Sequence, residues 1–396
     1  MIKLRHLLLP SVALVALSAQ ACSSVPPREL DTPQEETGSF PPANDAGTSE
    51  TSKPDDLIDE DSACATASAG TSKDPVFLEF ILDGSGSMGG LTDKWGAAIN
   101  AMADVFTEIE KLQDPNIGVG LILFSDSKDC TDGSGPYPGF PNPSTEDCFA
   151  DVYPGYVDLA QLTALKNRML KSSSGGGTPA GEALLGGYNV LRNFKPLPPL
   201  PADAKRVAIL ISDGEPNGKI TAAEMLKMAI KELAANPSIP TFSVGVGEIG
   251  SGFGFDPNFM GDLAVAGGTR ATPQCDPHSE KIAEMCHFQI DPSVSKGVQL
   301  KQDFVKAINR IRGLAVGCEY KIELSGGGTF NPNKVNVIWT DGAGKKHQIK
   351  KNDDNGWSYD DDANPTKVIL NGQSCGDATA DLESSVKVII GCDTKL

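Results

Sequence analysis

The 396-residue sequence is short of positive charge, of histidine and of zinc-like cysteine spacing. Its 34 lysines and arginines are outnumbered by 52 aspartates and glutamates, which gives a formal net charge of −18. Nucleic-acid binding needs a basic surface that displaces counterions from phosphates, so no nucleic-acid partner is expected. The chain has 4 histidines and no CxxC pair, which argues against a structural zinc site.

Long apolar runs are also missing, apart from one near the amino terminus. Residues 7–17 form an apolar run that is shorter than the roughly 20 residues needed to span a bilayer. We therefore interpret residues 1–21 as a signal peptide and expect an exported protein. The small residue before Cys22 resembles a bacterial lipobox, which implies a lipid on Cys22 and an outer-membrane anchor. A periplasmic or secreted protein is the alternative.

Composition divides the remaining chain into three parts. Residues 22–73 are rich in Pro, Ser, Thr, Asp and Glu, which predicts a disordered stalk. Residues 74–317 alternate short apolar runs with amphipathic segments, which predicts an α/β domain: a doubly wound, mainly parallel sheet with helices on both faces. Residues 318–396 change to a period of two, which predicts a small C-terminal all-β domain.

The individual elements follow from these patterns. In the α/β domain, strands are predicted at 76–82, 117–124, 206–212, 240–247 and 268–272. Helices are predicted at 92–111, 159–170, 179–192, 222–236, 257–266 and 299–314. In the C-terminal domain, strands are predicted at 320–325, 334–339, 367–371 and 386–390, with a hairpin turn at 341–344.

Oxygen-bearing side chains follow the predicted strands of the α/β domain. Asp83, Ser85 and Ser87 form a D-x-S-x-S motif at the end of the first strand, and Asp213 ends another strand. Thr178 lies in a glycine-rich loop between two helices. In open parallel sheets, ligands bind outside the carboxyl ends of the strands, so all five residues can meet there. An all-oxygen site suits hard cations such as Mg²⁺, Mn²⁺ or Ca²⁺.

This motif order resembles the metal-ion-dependent adhesion site of von Willebrand factor A (VWA) domains. The resemblance covers the predicted α/β domain and implies a bound divalent cation, Mg²⁺ first, with Mn²⁺ and Ca²⁺ as alternatives. It implies that Ser85, Ser87 and Thr178 reach the ion, and that Asp83 and Asp213 hold it directly or through water. A protein or other surface ligand that presents an acidic residue would supply the last ligand. The function implied is therefore metal-dependent binding or adhesion at the cell envelope.

Nucleotide binding is the first competing interpretation. Gly84, Gly86 and Gly89 match a dinucleotide fingerprint, but that motif needs an acidic residue at the end of the next strand, roughly 20 residues on. The next predicted strand ends much farther along the chain, and Asp83 would repel a pyrophosphate. No nucleotide partner is expected.

Serine hydrolysis is the second competing interpretation, and it would need a histidine near Ser85 and Ser87. His278 and His287 are predicted to be exposed in a loop, and His347 to face water on a strand. We predict that the protein is not an enzyme. A metal-dependent hydrolase, a subunit of an enzymatic machine, and a purely structural metal site remain as alternatives.

The cysteines predict disulfides. With Cys22 lipidated, an even number of cysteines remains in an exported chain, which favours an oxidising compartment. Two pairs are expected in loops at the predicted metal face, namely Cys130–Cys148 and Cys275–Cys286. The VWA resemblance implies that the ends of that domain are joined by Cys64–Cys318, which leaves Cys375–Cys392 for the C-terminal domain.

Overall fold

The computed structural model describes most of residues 58–395. The gaps are 59–60, 63–64, 66, 90–92, 126–150, 251–254, 273, 324–330, 353 and 382–383. The predicted signal peptide, Cys22 and most of the predicted stalk lie outside the described residues, as do Cys64, Cys130 and Cys148. None of the described helices is both long enough and apolar enough to cross a membrane.

The described elements are numbered along the chain. The strands are β1 (Ala67–Lys73), β2 (Val76–Asp83), β3 (Ile117–Phe124), β4 (Val152–Tyr156), β5 (Lys205–Ser212), β6 (Thr241–Val246), β7 (Phe288–Ile290), β8 (Glu319–Glu323), β9 (Val335–Thr340), β10 (Lys346–Ile349), β11 (Trp357–Tyr359), β12 (Lys367–Leu370) and β13 (Ser385–Ile390). The helices are α1 (Lys94–Leu112), α2 (Leu159–Leu170), α3 (Ala180–Asn193), α4 (Ala222–Leu233), α5 (Pro257–Ala266), α6 (Val298–Val316) and α7 (Gly372–Ala380).

The first sheet has six strands in the order β4-β3-β2-β5-β6-β7. All neighbours pair in parallel except β4, which runs antiparallel to β3. Every residue of β2 and β3 is buried. This burial explains why both sequences are nearly continuous apolar runs, as expected for parallel strands covered on both faces.

Helices cover both faces of this sheet. One apolar core joins the sheet to α1, α2 and α6, and the other joins its opposite face to α3, α4 and α5. The prediction of a doubly wound, mainly parallel α/β sheet is therefore confirmed. The parallel strands end together at one edge, and the predicted functional residues lie there.

One predicted strand of this sheet is wrong. The stretch 268–272 does not pair with the sheet, because its backbone groups bond elsewhere: Thr269 N donates to Ala264 O at the end of α5, and Ala271 N donates to Cys286 O. The edge strand is instead β7, whose three residues are too few to show a period in the sequence.

The second sheet has seven strands in the order β10-β9-β13-β1-β8-β12-β11, and all neighbours pair antiparallel. It encloses its own apolar core around the buried Trp357. The prediction that the C-terminal region forms a small β-sheet is thus confirmed. The hairpin turn at 341–344 also joins β9 to β10 as predicted, with Gly344 at a φ of 81°.

Two features of this domain differ from the predictions. Residues 67–73, predicted as part of the disordered stalk, form β1, which lies between β13 and β8 in the middle of the sheet. The sequence of β1, ASAGTSK, lacks large apolar residues, so its pattern gives no strand signal. The helix α7 was also not predicted, because its sequence GQSCGDATA has no amphipathic repeat.

The disulfide pairing is only partly as expected. Cys275 and Cys286 are joined, as predicted from their positions in one loop. The pairings Cys64–Cys318 and Cys375–Cys392 are wrong, because Cys318 is joined to Cys375. Cys318 immediately precedes β8 and Cys375 lies on α7, a helix that the sequence pattern did not reveal. Cys392 is also disulfide-bonded, but not to Cys375.

Candidate functional site

The site begins at the carboxyl end of β2, the strand between β3 and β5. Because β2 and β5 pair in parallel with Leu82 opposite Ile211, Asp83 reaches the sheet edge beside Ser212. Ser212 Oγ donates to Asp83 Oδ2 at 2.5 Å, and the Ser85 backbone N–H donates to Asp83 Oδ1 at 2.7 Å. Asp83 is fully buried, so these two bonds hold a carboxylate that water does not reach.

Two glycine-rich loops meet next to Asp83 in the chain and are joined by backbone hydrogen bonds. Gly86 N donates to Gly176 O at 2.9 Å, and Gly175 N donates to Gly84 O at 2.8 Å. Gly176 has a φ of 88°, a conformation that favours glycine. The loop after β2 is therefore fastened to the loop that precedes α3, although the two are far apart in sequence.

This contact brings the predicted hydroxyl residues to the second carboxylate. Ser85 Oγ and Ser87 Oγ are 2.9 Å apart and share a hydrogen bond. Ser87 Oγ also donates to Asp213 Oδ1 at 2.7 Å. Asp213 follows β5 directly and is buried. The D-x-S-x-S motif and the strand-ending aspartate thus form one continuous hydrogen-bonded group.

Thr178 is positioned at the same edge by its backbone. Thr178 N donates to Asn217 Oδ1 at 2.7 Å, and Asn217 N donates to Thr178 O at 3.0 Å. A Cβ added at Gly214 would lie 3.1 Å from Thr178 Oγ1, so this hydroxyl packs against the residue after Asp213. All five predicted site residues therefore lie together.

A sixth residue, the charged Lys94, enters the site from α1. Lys94 Nζ donates to Asp213 Oδ2 and forms an ion pair with it. The Lys94 side chain is 13% exposed and that of Asp213 is 0% exposed. The sequence patterns did not predict Lys94. They also did not predict Ser212, which holds Asp83, or Asn217, which holds Thr178. Only Ser212 had a detectable signal, since it occupies the last position of a buried strand.

The two carboxylates influence each other electrostatically. Burial, together with the nearby charge of Asp213, raises the pKa of Asp83 to about 6. Hydrogen bonds donated by Ser212 and Ser85 act in the opposite direction. A cation placed beside both carboxylates would favour their charged forms, so the electrostatics of the site suit a cation.

The donor set also suits a hard divalent ion. It consists of two carboxylates and three hydroxyls, with no nitrogen or sulfur ligand. Mg²⁺, Mn²⁺ and Ca²⁺ prefer such oxygen ligands, whereas zinc prefers nitrogen and sulfur. Among the described residues, no group of three or more His, Cys, Asp and Glu side chains could hold a metal. An ion bound here would therefore depend on the hydroxyls of Ser85, Ser87 and Thr178, as predicted.

A serine hydrolase would need a histidine base beside the serines, and none of the described histidines hydrogen-bonds to a residue of this site. Within the described part of the chain, the histidine rings hydrogen-bond elsewhere: His278 to Asp262, His287 to Gln289 and His347 to Asp341. His287 is 2% exposed, which corrects the prediction that it is an exposed loop residue. His287 directly precedes the edge strand β7, and its ring hydrogen-bonds to Gln289 on that strand.

The nucleotide alternative also lacks its structural context. A dinucleotide fingerprint needs a helix that opens over the glycines. Here Gly86–Met88 forms a short 3₁₀ turn, and α1 begins only at Lys94. The buried carboxylate of Asp83 faces the same loop and would repel phosphate.

Comparison with known proteins identifies the fold. Residues 78–264 match the family model of the von Willebrand factor type A domain, so this part of the chain is a domain of that type. None of the curated proteins compared matches the sequence.

Among solved structures, the pilus adhesin SpaC from Lactobacillus rhamnosus GG, in its open conformation, is 15% identical with a TM-score of 0.43. That match covers 81% of this chain and 40% of the adhesin. A von Willebrand factor type A protein from Catenulispora acidiphila is 13% identical with a TM-score of 0.36. That match covers 84% of this chain and 63% of the Catenulispora protein. The protein BatB from Bacteroides thetaiotaomicron is 17% identical with a TM-score of 0.36. That match covers 60% of this chain and 98% of BatB. The chain thus spans less than two thirds of the first two proteins.

Proposed function

We propose that this chain, whose residues 78–264 form a von Willebrand factor type A domain, binds a divalent cation and through it an acidic group of a partner. The cation would be held by Asp83, Ser85, Ser87, Thr178 and Asp213. Mg²⁺ is the first choice, and Mn²⁺ or Ca²⁺ are chemically acceptable. The partner is a protein or another surface ligand that presents a carboxylate.

The observation that carries this proposal is the bond between Ser87 and Asp213. These residues are 126 positions apart in the sequence, yet their side chains are 2.7 Å apart at the sheet edge. Polar side chains are normally placed at the surface with freedom to move. Here the fold instead buries Asp83, Ser85 and Asp213 together, at the place where parallel sheets bind ligands.

Each side chain of the site has a separate task. Ser212 and the backbone of Ser85 orient Asp83 by two hydrogen bonds, so that its position does not depend on a metal. Asn217 fixes Thr178 through the backbone. When bound, the cation supplies a Lewis-acidic centre to which a carboxylate of the partner can coordinate. Ser87 is exposed, so the site opens towards solvent on that side.

Binding, rather than catalysis, is supported by what surrounds the site. The described histidines hydrogen-bond to other residues, so none of them is placed as a general base for the serines. We further propose that the protein is exported and that a lipid on Cys22 anchors it to the outer membrane. The Cys275–Cys286 and Cys318–Cys375 disulfides support an oxidising compartment.

Calorimetric titration of Mg²⁺, Mn²⁺ and Ca²⁺ into chelator-treated protein tests the proposal. We expect saturable binding to the wild type, and a loss of at least about tenfold in affinity, or ~1.4 kcal/mol, for Ser85→Ala because one ligand is removed. Asp83→Ala should abolish binding. Ser173→Ala is the matched control, since this exposed serine lies in the Thr178 loop but bonds to none of the five residues.

Two outcomes would contradict parts of the proposal. If the wild type binds none of the three ions, the metal site itself is refuted. If the ion binds but the Ser85→Ala variant and the wild type capture acidic peptides equally well from a peptide array, the ion has a structural role only. Circular dichroism of each variant would establish that the fold is intact.

A further inference from the structure

We propose that Lys94 is a fixed counter-cation of the candidate metal site, which weakens binding of the divalent ion but strengthens binding of an acidic ligand to the ion-loaded site. This proposal rests on the proposed metal-dependent function and adds a residue that determines ion affinity and ligand charge. Lys94 is not one of the five residues of the motif. Its role follows from its contact with Asp213.

The two carboxylate oxygens of Asp213 are both engaged. Oδ1 accepts a hydrogen bond from Ser87, and Oδ2 accepts one from Lys94. A divalent ion held by Asp213 must therefore share this carboxylate with an ammonium group that is already beside it. Both side chains are largely removed from water, so their interaction is weakly screened.

The position of Lys94 is not explained by its own helix. It is the first residue of α1, where the helix dipole is unfavourable to a positive charge. No acidic residue lies in the first turn of α1. The preceding Asp93 adopts a left-handed conformation, with a φ of 44°, and its carboxylate accepts a bond from Gly96 N. The ion pair with Asp213 is thus the contact that accounts for the lysine at this position.

The formal charges give the direction of each effect. Asp83 and Asp213 contribute two negative charges, and Lys94 contributes one positive charge. With a divalent ion bound, the site carries one net positive charge, which a single carboxylate from a partner neutralises. Without Lys94, the loaded site would be neutral. A fixed positive charge therefore repels the metal ion and attracts the acidic ligand, and its removal should change the two affinities in opposite directions.

The test uses the full chain with Mn²⁺ as the metal probe and acetate as the carboxylate probe. Mn²⁺ binding is followed by its enhancement of water-proton relaxation, and acetate is then titrated into the Mn²⁺-loaded protein. For Lys94→Met, we expect Mn²⁺ to bind at least about tenfold more tightly and acetate at least about tenfold more weakly than for the wild type.

Two further variants separate charge from structure. Lys94→Arg keeps the charge and should change both affinities by less than about threefold. Lys111→Met removes an exposed lysine at the other end of the same helix, and it should leave both affinities unchanged. Chemical denaturation of each variant establishes that the domain remains folded.

The outcomes distinguish this proposal from the proposed function. If Lys94→Met binds both probes more weakly, Lys94 only maintains the structure of the site, and the counter-cation role is overturned. Equal affinities in Lys94→Met and the wild type overturn it as well, while leaving the metal site in place. If neither the wild type nor Lys94→Met binds Mn²⁺, the metal proposal itself fails. Binding of Mn²⁺ by Lys94→Met alone would likewise refute a metal site in the native protein, and the counter-cation role would be overturned with it.

Discussion

Glu79 lies in the middle of β2 and is fully buried. No described residue forms a hydrogen bond with either of its carboxylate oxygens. It fits because β3 has glycine opposite: a Cβ on Gly120 would lie 2.0 Å from Glu79 Oε2. Burial raises the pKa of Glu79 well above its usual value, and the charge of Asp151 adds to this. Burial therefore favours the protonated, neutral form of Glu79 in the folded protein.

This proton predicts a pH-dependent effect of Glu79→Gln. The pKa of Glu79 is higher in the folded chain than in the unfolded chain, where it has the ordinary glutamate value of 4.5. The unfolded chain releases the proton first, so wild-type stability falls as pH rises above that value. Glutamine does not titrate. We expect the free energy of unfolding of Glu79→Gln to exceed that of the wild type increasingly from pH 4.5 to 7.5, as measured by urea denaturation.

The exposed Glu280 provides the control for this prediction. Glu280→Gln should show the same pH dependence as the wild type. A stability difference between Glu79→Gln and the wild type that is the same at every pH would mean that Glu79 is not protonated on folding.

Helices α6 and α7 show how an element far from the site is held in place. Gly313 faces α7 so closely that a Cβ there would lie 2.0 Å from Thr379 O. The close approach packs α6, the last helix of the α/β domain, against the only helix described in the second domain. The Cys318–Cys375 disulfide ties the same two regions together.

A matched pair of glycine substitutions tests this contact. Alanine is favoured over glycine inside helices by about 1 kcal/mol. At Gly376, in the interior of α7, a Cβ would meet no atom closer than 4.0 Å, so Gly376→Ala should stabilise the protein by up to about that amount. Gly313→Ala should instead destabilise it by about 1–3 kcal/mol, because the backbone of α7 must move. Thermal unfolding measures both, and stabilisation by Gly313→Ala would show that the helices separate easily.

At the scale of the whole molecule, the α/β domain that contains the VWA match is inserted into the second domain. The strand β1 precedes it in the sequence and β8 follows it, yet the two pair antiparallel with Lys73 opposite Tyr320. The inserted domain therefore leaves and re-enters the second sheet between adjacent strands. Ion pairs of Asp74 with Lys205 and Lys367 lie at this junction. A domain connected at two neighbouring points has less freedom of orientation than one on a single linker.

The insertion predicts how fragments of the chain behave. Residues 318–396 alone lack the central strand β1 and should not fold, because β13 and β8 would have no partner between them. Replacing the segment between Lys73 and Tyr320 by an Asn-Gly turn should restore a folded sheet, since this turn joins antiparallel strands directly. Amide dispersion in NMR spectra distinguishes the two fragments. Folding of 318–396 by itself would show that β1 is dispensable.

Local sequence patterns determined most elements and all five motif residues of the candidate site. Buried parallel strands require continuous apolar runs, and amphipathic helices require a period near 3.6, so both are visible in single segments. The D-x-S-x-S motif, Thr178 and Asp213 were predictable as a group because the carboxyl ends of parallel strands meet at one edge. These inferences need only short-range patterns and one rule of topology.

Tertiary structure alone decided the features that depend on distant partners. The strand β1 exists because two strands pair with it, although its own residues have little strand propensity. Cys318 is joined to Cys375 because α6 and α7 pack together, and Lys94 enters the site because α1 starts at the sheet edge. Pairing between remote segments depends on the positions of both partners in space, and no pattern within either segment contains that information.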